Sequence, residues 1–133
     1  MFLIACPGST AINEALRLES PVQRFTRLLT KDHEIDGHVL PAGSQVVLLY
    51  GSANRDERKY PEPDRFDVRR KPSDHLAFGR GEHVCVGMNL ARIEMRALLE
   101  ALVPRVERFE LLESELALNN TLGGLGTLKV RVS

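Results

Sequence analysis

Apolar residues at helical spacing mark the first predicted element of the chain. A turn-and-cap cluster at 7–10 precedes them, and Ser20-Pro21 follows. The apolar positions between these signals are Ala11, Ile12, Ala15, Leu16 and Leu18. Their period is that of an amphipathic helix whose one face packs against the rest of the fold. The pattern predicts a first helix over residues 10–19.

Alternating apolar and polar residues then predict short strands. The candidate segments are 22–29, 33–35, 38–40 and 45–50, separated by turn residues at Asp36-Gly37 and at Pro41-Ala42-Gly43. Asp-Gly between two alternating segments is a strong signal for a tight hairpin. We therefore expect a small antiparallel sheet after the first helix.

A polar, proline-containing segment at 51–72 separates this sheet from the next regular element. It has weak periodicity and predicts only a short helical turn at 52–55. Residues 86–103 form the longest predicted helix, which is apolar on most faces, carries a polar stripe of Arg92, Arg96 and Glu100, and ends before Pro104. A connection as long as 51–72 is unusual in a compact domain unless it is functional or disordered.

The last part of the chain predicts short strands only. The candidates are 106–112, 117–118 and 128–132. Gly123, Gly124 and Gly126 precede a strand and have no Lys-Ser/Thr pair after them, so they predict a flexible turn instead of a phosphate-binding loop.

Composition places the chain among ordinary globular domains and excludes some partners. The 133 residues are 43% hydrophobic and 27% charged, which is sufficient for one soluble domain. Eighteen basic and eighteen acidic side chains give a net charge of zero, so neither nucleic acid nor an anionic membrane surface is expected as a partner.

The cysteines and the start of the chain bear on its compartment. Cys6 and Cys85 are too few for a disulfide scaffold, and both are expected to be reduced. The apolar residues after Met1 are too few for a signal peptide or a membrane span. We therefore expect no membrane segment and a cytoplasmic location.

Cys85 is the residue with the most demanding candidate chemistry. It lies between a glycine-rich loop and the start of the longest predicted helix, within the segment FGRGEHVCVGMNLAR at 78–92. Unpaired N–H groups at a helix start favour a thiolate, and glycines permit close approach of a bulky ligand. The alternatives are a buried structural cysteine and a nucleophile with His83 as its base. A zinc site is disfavoured because only Cys85 and His83 cluster there.

This segment resembles the cysteine loop of cytochromes P450, in which Phe-Gly-x-Gly-x-His-x-Cys-x-Gly is followed by Leu-Ala-Arg. The resemblance implies that Cys85 is the axial thiolate ligand of the iron of haem b, where sulfur donation favours O–O cleavage. It also implies that His83 lies near a haem propionate and that Phe78 packs near the porphyrin. Gly79 and Gly87 are expected to let the loop approach the cofactor.

Two further elements resemble the structural charge network of the same family. Glu14 and Arg17 match its Glu-x-x-Arg motif, although such a pair alone is an ordinary surface feature. Pro63-Asp64-Arg65-Phe66 resembles the meander element that supplies a third partner, which nominates Arg65. The resemblance implies a buried network of Glu14, Arg17 and Arg65 that holds the meander against the first helix.

Arg27 is the second residue that the resemblance assigns to haem propionates. It stands in a segment similar to the strand pair that carries this arginine, whereas the residue alone is compatible with a solvated strand position. Arg24 is a weaker candidate for the role. His75 recurs near the haem edge in bacterial-like members, with a simple loop histidine as the alternative. Asn54-Arg55-Asp56 matches another element of the family, which we expect to be structural.

The resemblance covers about residues 11–133 and corresponds to the C-terminal third of a P450, with 1–10 as an unmatched leader. The expected fold is an α+β segment that lacks the distal helix and the substrate-recognition loops. The whole enzyme would insert one oxygen atom of O₂ into a small organic substrate with electrons from a ferredoxin- or flavoprotein-type donor. Arg80 and Arg92 would face that donor, with solvated surface charge as the alternative. The alternatives are a non-catalytic remnant or interaction module without haem, and a cysteine hydrolase.

Overall fold

The computed structural model describes residues 8–133, and side chains from Thr10 onward. In chain order the elements are α1 (Gly8–Glu19), β1 (Arg24–Leu28), β2 (His33–Ile35), β3 (His38–Leu40), β4 (Gln45–Leu49), α2 (Tyr50–Ala53), α3 (Met88–Leu102), β5 (Phe109–Leu116) and β6 (Leu125–Val132). Mixed helices and antiparallel strands confirm the expected α+β class. Most of the predicted leader, with Cys6, lies outside the described residues.

Helix α1 supplies most of the small hydrophobic core. Its buried face carries Ile12 and Leu16, which pack with Ala77 and with the half-buried Met95 and Leu99 of α3. The helix begins at Gly8, two residues before the predicted start, and ends where predicted. Ser20 stops it by adopting a left-handed conformation (φ +39°) just before Pro21.

The strands between the helices form two separate ribbons, which corrects the prediction of one small sheet. β1 pairs with β4, from Arg24 opposite Leu49 to Leu28 opposite Gln45. β2 and β3 pair only with each other, through a turn in which Asp36 and Gly37 both have positive φ. Alternation identifies strands but not partners, and this tight turn fixes the pairing of the three-residue strands locally.

The segment after β4 is irregular, as predicted, but its helical turn starts earlier. Tyr50, expected to end the strand, is instead the first residue of α2, and its side chain is buried. Beyond α2 the chain forms successive turns, with Glu62 and Lys71 in left-handed conformations. Tyr60 anchors this segment because its ring is buried.

Helix α3 packs on α1 with one side only. It spans Met88–Leu102, shorter at both ends than the predicted 86–103, and its opposite side leaves Leu90 and Ile93 61% and 64% exposed. The Arg92 side chain is half-buried against the Phe78 ring, so it does not belong to a solvated stripe. No helix among residues 8–133 is long and apolar enough to cross a membrane.

The end of the chain is a single long hairpin. β5 and β6 pair from Phe109 opposite Val132 to Leu116 opposite Leu125, with two irregularities in register. No separate strand forms at 117–118, and the Ala117 N–H donates to the Gly124 carbonyl just beyond the last paired residues of the hairpin. An isolated bridge between Val22 and Leu122 ties this hairpin to the chain just before β1.

Candidate functional site

The cysteine loop is held by backbone hydrogen bonds between α3 and the preceding turn. The Cys85 N–H donates to the Phe78 carbonyl at 2.9 Å, and the Cys85 carbonyl accepts from the Met88 N–H at 3.2 Å. Gly79 and Gly81 adopt φ values of +72° and +73°, which side chains with a Cβ rarely adopt. The glycines therefore let the chain turn back, and the cysteine backbone is fixed from both sides.

The sulfur of Cys85 is exposed on this fixed backbone. Cys85 is a free cysteine, which excludes the alternative of a buried structural cysteine. A Cβ built on Gly87 would lie 3.8 Å from the Cys85 Sγ, so glycine leaves the space beside the sulfur open. Val84 and Val86 on either side are 45% and 104% exposed, so the sulfur emerges from an apolar surface.

The donor set at this site fits a metal that brings its own equatorial ligands. Among the residues described, no cluster of three or more His, Cys, Asp or Glu side chains is positioned to hold a metal ion. A structural zinc site needs four such ligands, whereas a haem iron needs only an axial one from the protein. A single exposed thiol between apolar side chains meets the second requirement.

Arg27 contacts Phe25 two residues away on β1, and a chain of ring contacts leads from Phe25 to the cysteine loop. Its guanidinium lies 5.7 Å from the Phe25 ring centroid, and Phe25 in turn contacts the Tyr50 ring edge to face at 6.1 Å. The Tyr50 hydroxyl lies 3.9 Å from a Cβ built on Gly79. These contacts connect Arg27 to the loop, and no carboxylate of the described chain pairs with its guanidinium.

His83 lies on the exposed rim of the loop. It ends a short 3₁₀ turn at Gly81–His83, and its carbonyl oxygen lies 3.3 Å from a Cβ built on Gly79. No hydrogen bond within residues 10–133 joins its imidazole to the Cys85 sulfur. The contact that a cysteine nucleophile and its base require is therefore not formed.

Glu14 and Arg17 form the fully buried ion pair at the centre of the fold. Both side chains are 0% exposed, and the Arg17 Nε and Nη2 donate to the two carboxylate oxygens of Glu14 at 2.9 Å each. The Arg17 guanidinium also lies 5.1 Å from the Tyr60 ring centroid. The pair is therefore not an ordinary surface pair of a helix.

Arg70 takes the position in this network that the sequence assigned to Arg65. The Arg70 Nε donates to Glu14 at 3.2 Å, and its side chain is only 13% exposed. The Arg65 guanidinium instead pairs with Glu62 at 3.0 Å on the surface. Arg65 reaches Arg17 only through its backbone carbonyl at 3.4 Å. The nomination of the Arg65 side chain is therefore corrected.

Asn54 connects the ion pair to the segment that leads into the cysteine loop. Its carbonyl oxygen accepts from Arg17 at 2.8 Å, and its amide donates to the Ser20 hydroxyl at 2.7 Å. Its side-chain oxygen accepts from the Leu76 N–H at 2.7 Å. Asn54 is 1% exposed, so these bonds form away from competing water. Within the Asn54-Arg55-Asp56 element, Asn54 is the residue that makes these buried structural hydrogen bonds.

The protonation of Glu14 depends on this network. Burial by itself raises the pKa of Glu14, but hydrogen bonds from Arg17, from the Asp67 N–H and from Arg70 outweigh it. The pKa of Glu14 therefore lies below its ordinary value, and the carboxylate stays charged at neutral pH.

His75 is buried and is not a surface loop histidine. It is 7% exposed, and its Nδ1 accepts a hydrogen bond from the Ala77 N–H at 3.2 Å. Its ring lies 6.0 Å from the Phe78 ring, and the Arg92 guanidinium lies 5.2 Å from that same ring. Burial, reinforced by Arg92, lowers the pKa of His75, so the imidazole is neutral at pH 7.

Sequence reasoning missed Arg70 as a member of the network and Tyr60 as its aromatic contact. The signal available was three arginines within six residues, Arg65, Arg69 and Arg70, in a segment without periodicity. Without a helix or strand period, the sequence does not show which of these side chains turns inward.

Comparisons with known proteins agree on one family. A family model described as Cytochrome P450 matches residues 9–129. The chain is 44% identical over 124 residues to cytochrome P450 CYP199A2 of Rhodopseudomonas palustris, covering 92% of the chain and 30% of that protein. It is 45% identical over 122 residues to linalool 8-monooxygenase of Pseudomonas putida, covering 91% and 30%.

A solved structure shows the same arrangement of elements. P450BioI, crystallised in complex with an acyl carrier protein ligated with hexadec-9Z-enoic acid, superposes with a TM-score of 0.90 at 38% identity. The match covers 95% of this chain and 33% of that one. The chain therefore spans about a third of the length of the proteins it resembles.

Proposed function

The chain belongs to the cytochrome P450 family, and from this premise we propose that it is the haem-binding segment of a haem-thiolate monooxygenase. Family members carry haem b. Cys85 is the proposed axial ligand of the iron in this chain. The observation that carries the proposal is the exposed, free sulfur on a loop fixed by the hydrogen bonds of Cys85 to Phe78 and Met88.

The charged side chains near the loop suit the carboxylates of the cofactor. Arg27 has a guanidinium without a carboxylate partner among residues 10–133 and is connected to the loop through Phe25 and Tyr50. His83 is exposed on the rim of the loop. We assign both to the haem propionates, because charge-assisted hydrogen bonds to a carboxylate are stronger than neutral ones.

The remaining loop residues shape the surface on which the porphyrin would lie. Gly79 and Gly87 leave space where a Cβ would approach the His83 carbonyl or the Cys85 sulfur. Phe78 packs between His75 and Arg92 and limits access of water from this side. Excluding water and hydrogen-bond donors near a thiolate tunes the potential of the iron that it binds.

Catalysis is a separate part of the proposal. Bound haem supplies the chemistry of O₂ activation and insertion of one oxygen atom into a small organic substrate, with electrons from a ferredoxin- or flavoprotein-type donor. Arg80 and Arg92 are proposed to face that donor.

The chain covers about 30% of the length of the relatives that it matches. A second candidate function is a segment that binds haem without turnover. A cytoplasmic location is also a proposal.

The ligand assignment is tested by spectroscopy on the whole chain. We expect the purified chain to bind added haem and, after reduction under carbon monoxide, to show the red-shifted Soret band of a thiolate-ligated complex. Cys85→Ser should lose this band because its hydroxyl is a poor ligand. The same band in Cys85→Ser would overturn the assignment of Cys85.

The propionate assignment has a matched control on the same strand. Arg27→Gln should increase the rate at which haem is lost to an acceptor protein, because one charge-assisted hydrogen bond disappears. Arg24→Gln alters an exposed arginine that binds the Asn120 carbonyl and should leave that rate unchanged. Equal effects of the two variants would contradict a specific role of Arg27. Oxygen-dependent product formation, assayed separately, distinguishes the catalytic candidate from the haem-binding one.

A further inference from the structure

Helix α3 has a second apolar side, opposite the one that packs on α1. The packed side carries the half-buried Met95 and Leu99. The opposite side carries the α3 stripe, a set of exposed apolar residues three or four positions apart: Leu90, Ile93, Ala97 and Ala101. This spacing aligns them along about three turns of the helix. Leu90 and Ile93 are 61% and 64% exposed, so no part of the described chain covers the stripe.

The exposed area is sufficient for a stable protein–protein interface. The chain has 10158 Å² of accessible surface at a mass of 14.9 kDa. This exceeds the surface of a typical folded monomer of that mass by about 3000 Å², whereas a standard interface buries about 800 Å² of each partner. The formal net charge of zero means that two copies of the chain do not repel each other as a whole. Area and net charge therefore allow a second copy of this chain as the partner.

The charges beside the α3 stripe favour that partner. Arg96 and Glu100 lie on one flank of the stripe, one helical turn apart, and both are exposed. Neither forms an ion pair within residues 10–133. A helix with opposite charges at this spacing is complementary to a copy of itself that runs in the opposite direction, because each arginine then approaches the glutamate of the other copy. The flank is therefore self-complementary.

The side-chain sizes along the stripe indicate where two antiparallel copies would cross. Ala97 has only a methyl group, so two α3 backbones can approach closely at this position. With the crossing at Ala97, Ile93 lies opposite Ala101 of the second copy, so a large side chain meets a small one. Arg96 is then offset along the axis by about 3 Å from the position directly opposite Glu100 of the second copy. The long arginine side chain spans that offset.

We propose that α3 is the interface of a symmetric dimer of this chain, in which two α3 stripes pack antiparallel and cross at Ala97. Arg96 of each copy pairs with Glu100 of the other, which gives two equivalent ion pairs. Because each copy uses the same surface, the interface is closed and association stops at two copies. Cys85 lies outside the α3 stripe, so the dimer does not depend on haem binding.

Sedimentation equilibrium of the purified whole chain tests for the dimer. We expect the apparent mass to rise with concentration from 14.9 kDa to twice that value and no further. A mass that stays at one chain at every concentration up to about 1 mM would overturn the proposal and leave the α3 stripe to a different protein partner. A mass that continues to rise beyond two chains would also overturn it, because a closed interface does not extend.

Charge variants test the pairing of Arg96 with Glu100. Arg96→Glu and Glu100→Arg should each weaken dimerisation at least about tenfold, because like charges then face each other. An equimolar mixture of the two variants should form a heterodimer as tightly as the parent dimer, since one copy then carries two glutamates and the other two arginines. Arg108→Glu reverses an exposed arginine outside α3 and should dimerise like the parent chain. No recovery of association in the mixture would contradict the proposed pairing.

A matched pair of variants tests whether the α3 stripe itself forms the interface. Ile93→Lys places a charge in the stripe and should abolish the dimer. Val39→Lys changes a residue of the β2–β3 hairpin that has the same 64% exposure, and it should leave the dimer intact. Far-ultraviolet circular dichroism shows whether each variant folds, and the charge variants carry the test if Ile93→Lys does not fold. Equal losses of dimer in Ile93→Lys and Val39→Lys would indicate non-specific association of apolar surface and overturn the proposal.

Discussion

At the scale of single residues, the Glu14 network shows how much a motif predicts. Glu14 and Arg17 occur at the spacing of a helical pair, and the structure buries both completely. The third side chain, Arg70, comes from a segment of turns in which Glu62 and Lys71 have positive φ. These left-handed conformations reverse the chain and decide which arginine faces inward. Local sequence does not specify them, because neither residue is a glycine.

The corrected network gives a prediction that separates Arg70 from Arg65. Arg70→Ala should lower the free energy of unfolding by about 1.5–3 kcal/mol, because a buried carboxylate loses a charged hydrogen bond. Arg65→Ala removes a surface pair in which Arg65 is 57% exposed and should cost less than about 1 kcal/mol. Urea unfolding of both variants measures the difference. A larger loss for Arg65→Ala would contradict the geometry of the network.

At the scale of elements, helices and hairpin turns were predictable, whereas strand partners were not. The apolar residues of 10–19 recur at helical spacing, which predicts α1 from local sequence alone. Asp36-Gly37 likewise predicts the tight turn between β2 and β3. The pairing of β1 with β4 crosses the whole β2–β3 hairpin, and a strand of five residues has no sequence mark that identifies such a distant partner. Ala117 likewise has the pattern of a strand residue, yet it lies just beyond β5 in the connection to β6.

Gly79 and Gly81 of the cysteine loop give a prediction at this scale. Both have positive φ, so alanine at either position should cost about 1–2 kcal/mol of stability. A Cβ at Gly79 would also lie 3.3 Å from the His83 carbonyl, whereas one at Gly81 meets nothing within 4 Å. We expect Gly79→Ala to cost roughly 1 kcal/mol more than Gly81→Ala. Chemical unfolding checks the order, and equal costs would show that crowding at His83 is relieved by movement.

At the scale of the whole molecule, the chain exposes more surface than its mass requires. Its accessible surface is 10158 Å² for 14.9 kDa, compared with about 7000 Å² expected for a folded monomer of this mass. The excess includes large apolar side chains of α3 and of the β5–β6 hairpin, such as Ile93 and Leu116. Composition did not reveal this, because 43% hydrophobic residues are equally compatible with a self-contained core. The burial that stabilises the chain is concentrated around α1.

The buried side chains of Glu14 and His75 make the free energy of unfolding depend on pH in a predictable direction. The pKa of His75 is lowered from its ordinary value of 6.5, and that of Glu14 is lowered from 4.5. In both cases the unfolded chain binds a proton at a pH at which the folded chain does not. The contribution of each group is therefore complete above its unfolded pKa and is lost as the pH falls through its folded pKa.

We therefore expect the free energy of unfolding to fall as the pH decreases, in two separable windows. The first begins near pH 6.5 and belongs to His75. The second begins near pH 4.5 and contains Glu14 together with Asp56, Asp67 and Asp74, whose pKa values are also lowered. His75→Gln should abolish the first window and keep the second, because glutamine has no proton to bind. His33→Gln changes an exposed hairpin histidine and should keep both windows. Urea unfolding between pH 8 and about pH 3 measures the slopes, and a first window that persists in His75→Gln would assign it to another group.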